Sequence, residues 1–592
     1  MRTKFQIGIA LLIILALGLS GCVAPPTGPS GGADDADQPV TLSLNWGTEP
    51  PSLDPSLATD TTSIGIINEM FLALTELDPE TQEAMPELAT DWEVNEDNTV
   101  WTFNMRDDVP WVQYDAGSGE VVPVTDGEDN PVMVTANDIV YGLKRTCNAE
   151  TGSDYAYVLY VVQGCEEANT GEGSMDELLE GIGVVALDDY TLEVTLNYGA
   201  SYFAQIASMW IMRPMPQLAI EDMGDRWIEP GFIVTNGPYT LSEWIHGDVL
   251  TMVRNPNWYG WEEMADVVGN IEVITGVMIE EASTAFAMYE NDELDTVGVP
   301  LEQMDAALAG DFGDEYVNAP RNCTYYYGFV TEKEAVSDVN VRRALSMAVD
   351  RKTLVDEILK GGQIPANTFT NPLNYGSPAE DTDIAPWALS EDQGGIGYEA
   401  AVEMGLGLLE EAGYADGEGL SLTLSHNVSE GHAKIAQAIQ AMWTTAYPDI
   451  EVIIETQEWG VYLDALDSDA PLEGKPDVFR LGWCQDYPHA NNWIHEVFNP
   501  SQGSNEVLIS ADDEQTGEAV AAFDAATIAA QTASAEEQLE LYKEAERLFI
   551  DEIAGIIPIY YYTTNLVTKS SLDRVYSDDL YLYRWSINAD AE

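Results

Sequence analysis

Positive charge is scarce in this sequence of 592 residues. It has 23 Lys and Arg residues against 103 Asp and Glu residues, which gives a formal net charge of −80 at pH 7. Binding of a phosphate backbone depends on clustered Lys and Arg side chains, so this composition excludes nucleic acid as a partner. The acidic residues are spread along the whole chain, and a dispersed acidic surface keeps proteins soluble in concentrated salt. The composition favours a saline habitat, with a lineage-wide acidic composition as the alternative.

The sequence also lacks the motifs of common catalytic and metal sites. It contains no Gly-x-Ser-x-Gly elbow, no His-Glu-x-x-His zinc helix and no Walker loop. No Cys-x-x-Cys pair occurs, and the pairs His426/His432 and His489/His495 do not have the usual metal-ligand spacing. We therefore expect no enzymatic activity, no cofactor and no metal. A secreted acidic hydrolase is a less favoured alternative, because no nucleophile–base pair is recognisable.

Long apolar runs are absent beyond the amino terminus. Residues 5–19 form a nearly unbroken apolar run after a basic start, which predicts a secretory signal. The run is shorter than the roughly 20 residues of a membrane span. Its Leu-Ser-Gly-Cys ending resembles a bacterial lipobox, which implies a signal peptide over 1–21 and lipid on Cys22. An ordinary signal with an incidental cysteine is the alternative. We expect an extracytoplasmic protein that is lipid-anchored to the cell membrane and has a formal charge of 21 − 103 = −82.

Cysteine is rare, with five residues in all. If Cys22 carries lipid, Cys147, Cys165, Cys323 and Cys484 remain. An even number in an oxidising compartment indicates two disulfides, for which three connectivities are possible. We favour Cys147–Cys165 as a local link and Cys323–Cys484 as a long-range one.

Strand and helix patterns alternate along the body of the chain. Leu420–Ser425 and Ile450–Glu455 read as strands, and His432–Ala446 between them has helical apolar spacing. This is a βαβ unit with a parallel strand pair. Further strands are predicted at Val40–Trp46, Asp477–Trp483 and Ile556–Tyr562, and a helix from the Ser534/Glu537 capping box to about Asp551. The pattern predicts an α/β protein with several lobes.

Many short blocks occur in one order from residue 52 to residue 562. They include SLDP at 52–55, PELATDWEVNEDNTVWTFNMRDDVPW at 86–111, VTANDIVYGLKR at 134–145, IVTNGPYTLSEW at 233–244, RNPNWY at 254–259, VRRALSMAVDR at 341–351, FRLGWCQDY at 479–487 and IPIYYY at 557–562. With these blocks the chain resembles the oligopeptide-binding lipoproteins of bacterial ABC importers, in the peptide/nickel solute-binding family. The resemblance implies a monomer that captures oligopeptides and delivers them to a membrane permease, and that meets the membrane only through its lipid anchor.

The resemblance also implies the fold. The family has a type II (cluster C) periplasmic-binding-protein-like fold, in which two α/β lobes close on the ligand and a third lobe is added. The ligand is expected between lobes I and III. Carried over to this chain, the parts are a flexible tether at 22–39, lobe I at 40–71, 217–321 and 564–592, lobe II at 72–216, and lobe III at 322–563.

Asp486, in the segment Trp-Cys-Gln-Asp-Tyr, matches the family aspartate that pairs with the peptide α-ammonium. A ligand enclosed by lobe closure loses its water, so its ammonium needs a fixed counter-charge. The resemblance also implies that Cys484 pairs with Cys323, as the matching cysteines do in related proteins, and that bond would hold the Asp486 loop.

Arg480 matches a family arginine that meets C-terminal carboxylates, and His432 matches a family histidine used with longer peptides. Arg480 lies near the carboxyl end of a predicted strand, where α/β proteins place ligands. His432 opens a predicted helix, where free backbone N–H groups favour an anion. A structural ion pair for Arg480 and a structural role for His432 are the alternatives.

Aromatic residues are expected to form the walls of the site. Tyr155, Tyr289, Trp459 and Trp483 match family positions that line side-chain pockets or stack on the peptide. Gly482 matches a residue whose backbone meets an extended peptide as a neighbouring strand does, a mode that is independent of peptide sequence.

Three positions depart from the family pattern. A second arginine is replaced by Leu466, a lysine by Leu359 with Lys360 one position later, and a glutamate by Thr59. Fewer side chains are therefore expected to bind the peptide carboxylate than in other members of the family. The same fold binding dipeptides, oligosaccharides or a metal chelate stays open as an alternative, and a surface adhesin is a weaker one.

Overall fold

The computed structural model describes residues 38–576 and 580–588. From Val40 onward the chain forms one compact unit. The predicted signal peptide, Cys22 and all but the last two residues of the tether lie outside the described residues. Within the described ranges, no helix is both long enough and apolar enough to cross a membrane.

The first sheet has four strands and joins two distant parts of the chain. Leu42 and Leu44 are buried and alternate with more exposed residues, as a half-buried strand requires. The first two strands are parallel and the others antiparallel. In spatial order the strands are Thr41–Asn45, Val273–Val277, Val249–Arg254 and Tyr239–Ile245.

The second sheet is antiparallel and packs beside the helix Ala136–Cys147. A disulfide from Cys147 to Cys165 joins the end of that helix to the next one, Cys165–Thr170. In spatial order the strands are Ala89–Val94, Val100–Met105, Thr191–Thr195 and Val184–Asp188.

The large sheet contains the βαβ unit that the sequence predicts. Its strands Ser421–Asn427 and Glu451–Gln457 are parallel, and the helix Glu430–Ala446 connects them. The second disulfide joins Cys323 and Cys484, which face each other on neighbouring strands. In spatial order the strands are Thr296–Gly298, Ile556–Thr568, Tyr316–Phe329, Val478–Cys484, Ser421–Asn427 and Glu451–Gln457, with Ile364–Pro365 also paired to Ile556–Thr568.

The predicted strands and the late helix are confirmed with small shifts in their limits. The capping box is present, since Ser534 Oγ and Glu537 are hydrogen-bonded at the start of the helix Ala535–Arg547. A wide turn, Leu548–Ile553, follows that helix. The predicted strand at 556–562 extends to Thr568, because its second half pairs with residues 296–298 and 316–320.

The remaining regular elements surround these sheets. Three small antiparallel pairs join Thr75–Leu77 to Ala84–Pro86, Val112–Asp115 to Glu120–Pro123, and Leu572–Asp573 to Ser586–Ile587. Among the described residues, the other α-helices of six or more residues are Thr61–Met70, Met175–Glu180, Gln217–Met223, Ala282–Glu290, Met304–Ala309, Val339–Met347, Tyr398–Glu411, Trp459–Leu466 and Gly517–Thr532. A 3-10 helix spans Ala156–Val161 and a π-helix spans Leu354–Leu359.

Buried apolar side chains gather on both faces of the large sheet and around the two smaller ones. Tyr326 packs on one face of the large sheet, whereas Tyr325 and Tyr327 pack on the other, as strand alternation dictates. Another core combines residues 42–278 with 572–585. The predicted borders at 321/322 and 563/564 both fall inside long strands, and the three-lobe division stays a prediction.

Candidate functional site

The strand Val478–Cys484 has an open backbone edge. One edge pairs with Tyr316–Phe329 along its whole length. The other edge pairs with Ser421–Asn427 only at Val478 and Phe479. Among the described residues no strand covers that edge farther along, and Gly482 is exposed there. This edge can accept an extended chain as an additional strand.

Asp486 lies just beyond the carboxyl end of this strand and is half-buried. Its backbone N–H donates to Asn492 Oδ1 over 2.8 Å. Asn492 Nδ2 donates back to Asp486 Oδ2, also over 2.8 Å. The carboxylate is therefore held in one orientation at this end of the open edge.

Tyr155 and Trp483 form a wall beside Asp486. Their rings are stacked with centroids 6.3 Å apart, and Tyr155 also lies 5.3 Å from Tyr157 and 4.9 Å from Trp210. Burial, followed by the negative charge of Asp486, holds the pKa values of Tyr155 and Tyr157 well above 10. Both phenols are thus neutral hydrogen-bonding groups next to a carboxylate.

Arg480 occupies the other end of the open edge. The residue is only 7% exposed. Its guanidinium donates to Tyr562 Oη over 2.7 Å and to Asn427 Oδ1 over 3.3 Å, and it lies 4.5 Å from the centre of the Tyr325 ring. In the described part of the chain no carboxylate forms an ion pair with Arg480, and its Nε has no hydrogen-bond partner. A buried cation with neutral neighbours favours an anionic ligand.

His432 joins this group from the first turn of the helix Glu430–Ala446. Its Nδ1 lies 3.3 Å from Tyr325 Oη. Burial, followed by the charge of Arg480, lowers the pKa of His432 well below 6.5. The same two causes lower the pKa of His426. Both imidazoles are therefore neutral near pH 7, and Arg480 supplies the positive charge.

Of the other two predicted wall residues, one borders the site and one lies elsewhere. Trp459 begins the helix Trp459–Leu466 and stacks on Tyr462, whose hydroxyl bonds the Arg480 backbone. It therefore borders the Arg480 end. Tyr289 packs in a separate buried cluster with Phe286 and donates to Glu315 over 2.8 Å. No hydrogen bond or ring contact of the described structure brings Tyr289 to the other site residues.

The three departures from the family pattern leave Arg480 without a second nearby cation in the described contacts. Leu466 and Leu359 are buried in apolar cores. Lys360 points to another partner, with its Nζ 2.8 Å from Asp305 Oδ1. Thr59 is half-buried beside Asp60, the residue that caps the helix Thr61–Met70.

Residues 72–216 touch the Asp486 segment at two further places. Gln485 Nε2 donates to Gln82 Oε1 over 2.9 Å. Tyr202 stacks on Tyr487, with centroids 5.5 Å apart and planes inclined by 8°. Together with the Tyr155–Trp483 pair, these contacts make a closed arrangement around the end of the strand.

Sequence reasoning missed several residues of the site. Asn492, Tyr157, Asn427 and Tyr562 were not singled out. Tyr562 belongs to the noted IPIYYY block, and alternate tyrosines there share one face of a strand, which is a signal that could have identified it. Nothing in the local sequence distinguishes Asn427, whose contact depends on sheet order.

A family model and a curated relative both place this chain among the bacterial solute-binding proteins. The model of the bacterial extracellular solute-binding proteins, family 5, matches residues 83–505. The oligopeptide-binding protein OppA of Bacillus subtilis (strain 168) is 32% identical over 586 residues, covering 97% of each chain.

Solved structures resemble the chain over nearly its whole length. Haemophilus influenzae OppA in complex with the peptide RPPGFSPFR has a TM-score of 0.78 at 26% identity, covering 93% of this chain and 99% of its own. The murein tripeptide-binding protein MppA of Escherichia coli has a TM-score of 0.79 at 26% identity, with the same coverage. The unliganded open form of MppA has a TM-score of 0.59 at 27% identity, covering 93% and 98%. The arrangement described here is therefore closer to the peptide complex than to the open form.

Proposed function

This chain belongs to the bacterial extracellular solute-binding proteins of family 5, and from that membership we propose that it is the substrate-binding component of an ABC importer for oligopeptides. In this proposal its lobes close on a peptide, and the closed form docks on the membrane permease. It acts as a binding protein rather than an enzyme. Its type II periplasmic-binding-protein-like fold is suited to such closure.

The observation that carries the proposal is the pair of opposite charges at the two ends of one open strand edge. Asp486 is suited to a peptide's α-ammonium, and Arg480 to its carboxylate. Residues 480–484 of the strand span roughly 13 Å at about 3.3 Å per residue. An extended peptide of about three to five residues spans a similar length. The exposed backbone at Gly482 can bond its main chain without reading its side chains.

The surroundings of Arg480 support an anionic ligand group rather than a structural ion pair. The guanidinium is buried among neutral tyrosine, asparagine and histidine side chains. Leaving a buried charge unpaired is costly, so a carboxylate supplied by the ligand would stabilise the closed protein. His432 contributes a neutral hydrogen-bonding group beside it.

Native mass spectrometry of the protein purified without refolding tests the proposal. A heterogeneous series of co-purified peptides of two to five residues is the expected result. A single non-peptide mass would indicate the same fold with another ligand, such as an oligosaccharide or a metal chelate. A protein that stays empty when offered a peptide mixture would contradict peptide binding.

A variant without the Asp486 charge tests whether this residue binds the peptide α-ammonium. Asp486→Asn should weaken binding of trialanine at least about thirtyfold, because loss of one partner of an enclosed charge pair costs roughly 2 kcal/mol or more. Asp311→Asn, at an exposed position, is the matched control and should bind normally. Unchanged binding by Asp486→Asn would assign the α-ammonium to another residue.

We further propose that the protein is a monomer outside the cytoplasmic membrane, anchored by lipid on Cys22. The relatives' descriptions as periplasmic or extracellular proteins support the location. Detergent-phase partition of the whole-cell protein tests the anchor, since Cys22→Ala should move it from the detergent phase to the aqueous phase. Partition unchanged by Cys22→Ala would refute lipidation at that residue.

A further inference from the structure

Asn492 is the side chain that connects Asp486 to the interior of the protein. It is fully buried in the wide turn Asn491–His495, six residues after Asp486. Its oxygen accepts the Asp486 backbone N–H over 2.8 Å. This contact fixes which end of the carboxamide is the oxygen, because a backbone N–H cannot donate to an NH₂ group.

The opposite end of the carboxamide lies between two carboxylates. Asn492 Nδ2 donates to Asp486 Oδ2 and to Glu496 Oε2, each over 2.8 Å. An amide nitrogen carries two hydrogens, so both are used. With its oxygen also engaged, the side chain is fixed at three points.

Glu496 is a rigid anchor for this arrangement. It is 4% exposed, and its other oxygen accepts from the Tyr487 hydroxyl over 2.5 Å and from Asn491 Nδ2 over 3.2 Å. The two asparagines and the tyrosine therefore hold Glu496 in place. Asn492 transmits that fixed position to Asp486.

The choice of a carboxamide has a chemical consequence. A Lys or Arg side chain at this position would orient Asp486 but would also neutralise it. Asparagine donates hydrogen bonds without adding charge, so Asn492 orients the Asp486 carboxylate without itself neutralising it. We propose that Asn492 is a positioning residue, which orients the Asp486 carboxylate toward the ligand's α-ammonium. This inference rests on the proposed ammonium site at Asp486.

Binding of two ligands distinguishes a positioning role of Asn492 from a general stabilisation of the protein. Trialanine carries an α-ammonium, whereas N-acetyl-trialanine has the same backbone and carboxylate without that charge. Asn492→Ala should weaken trialanine binding roughly tenfold or more, as expected for lost hydrogen bonds to a charged group. It should leave the weaker binding of N-acetyl-trialanine unchanged. Asn492→Leu, which has nearly the same shape but carries neither hydrogen-bond donors nor charge, should show the same selective loss.

Asn499→Ala is the matched control. Asn499 is also fully buried, and its Nδ2 donates to Thr527 rather than to the site. This variant should keep the wild-type ratio of affinities for the two peptides. Thermal unfolding of each variant confirms that the compared proteins are folded.

The outcomes separate this inference from the proposed function. If the wild type binds both peptides equally, or binds neither, the ammonium site itself is wrong and the inference is overturned with it. If the wild type prefers trialanine and the Asn492 variants keep that preference, only the positioning role is overturned. An equal loss for both peptides would likewise refute positioning and indicate a purely structural role.

Discussion

The ring of Tyr155 lies nearly parallel to that of Trp483, with ring planes inclined by 6° and centroids 6.3 Å apart. One ring comes from the part of the chain before residue 216, and the other ends the strand that leads to Asp486. The stack therefore joins the Asp486 segment to a separate part of the molecule. Its strength should influence how firmly the site closes.

Trp483→Ala should weaken trialanine binding by about two- to tenfold, because an aromatic pair contributes roughly 0.5–1.5 kcal/mol beyond its buried area. Trp483→Phe should retain most of the affinity, since a ring remains. Isothermal titration calorimetry measures both. Tyr576→Ala removes a partly exposed ring and serves as the control. Equal losses in the Ala and Phe variants would contradict a stacking contribution.

The amide contact between Gln82 and Gln485 should slow ligand release. Gln82→Ala removes a 2.9 Å hydrogen bond, which is worth roughly 0.5–1.5 kcal/mol. We expect trialanine to dissociate about two- to tenfold faster in stopped-flow displacement. Gln82 Nε2 also donates to the Asp78 carbonyl over 3.2 Å. Gln113→Ala is the control, because it likewise removes a hydrogen bond from a glutamine side chain to a backbone carbonyl, that of Gly231, over 2.8 Å. Identical dissociation rates in wild type and Gln82→Ala would show that this contact plays no part in closure.

Both disulfides should stabilise the fold, but only one of them should affect ligand binding. Cys484 lies two residues before Asp486, whereas the Cys147–Cys165 bond lies in the second-sheet region. Replacing either pair by serine should lower the free energy of unfolding by about 2–4 kcal/mol. Only the Cys323/Cys484 double variant should also weaken trialanine binding, as measured by calorimetry below the unfolding temperature. Equal binding by both double variants would show that this bond does not hold the Asp486 loop.

Glu69 should make stability depend on pH. Burial raises the pKa of its carboxyl from 4.5 to about 8. The folded protein thus holds this proton more tightly than the unfolded chain does, and the free energy of unfolding falls as pH rises from about 4.5 towards 8. Glu69→Gln removes this titration. As pH rises across that range, the free energy of unfolding of Glu69→Gln should increase relative to that of the wild type by at most about 1.4 kcal/mol per pH unit.

Urea unfolding at pH 5 and pH 8 measures the gain from Glu69→Gln. The variant keeps an oxygen that can accept the Leu582 N–H, which lies 2.8 Å from Glu69 Oε1. Glu540→Gln, at an exposed position, is the control and should parallel the wild type. A constant difference between wild type and Glu69→Gln at both pH values would refute the raised pKa.

The acidic surface should bias peptide choice at low salt. Of the charged residues, 103 are acidic and 23 basic, so trilysine should bind more tightly than triglutamate at low ionic strength. Salt shortens the Debye length from about 30 Å at 0.01 M to about 3 Å at 1 M, and should remove most of the difference. Affinities measured at several salt concentrations test this. Equal affinity for both peptides at low salt would contradict the expectation.

Local patterns predicted the elements well. The βαβ unit at 421–457 and the Ser534 capping box depend on apolar spacing and on residues three positions apart, which the sequence displays directly. The extension of the strand at 556 to Thr568 was missed, because its pairing partners lie more than 240 residues earlier. Pairing at such separation leaves no local signal.

Residues of the candidate site could be predicted from the sequence only where they belong to one continuous segment. Arg480, Gly482 and Asp486 share a recognisable block, and they lie along one strand and its exit. Tyr562 reaches Arg480 only because the strand Tyr316–Phe329 lies between their two strands and fixes their positions. Tyr289 was predicted from its match to a family position, but in the structure it lies in a separate cluster.

The first sheet has a consequence for the order in which the molecule is made. The strand Thr41–Asn45 finds its parallel partner at Val273–Val277, and Glu69 accepts a hydrogen bond from Leu582, which lies 513 positions later. Synthesis proceeds from the amino terminus, so these early segments cannot form their native contacts until the later segments have been made. The large sheet closes only after the strand Ile556–Thr568 has been added. A ribosome that stalled short of residue 580 would release a chain with its earliest core still unfinished.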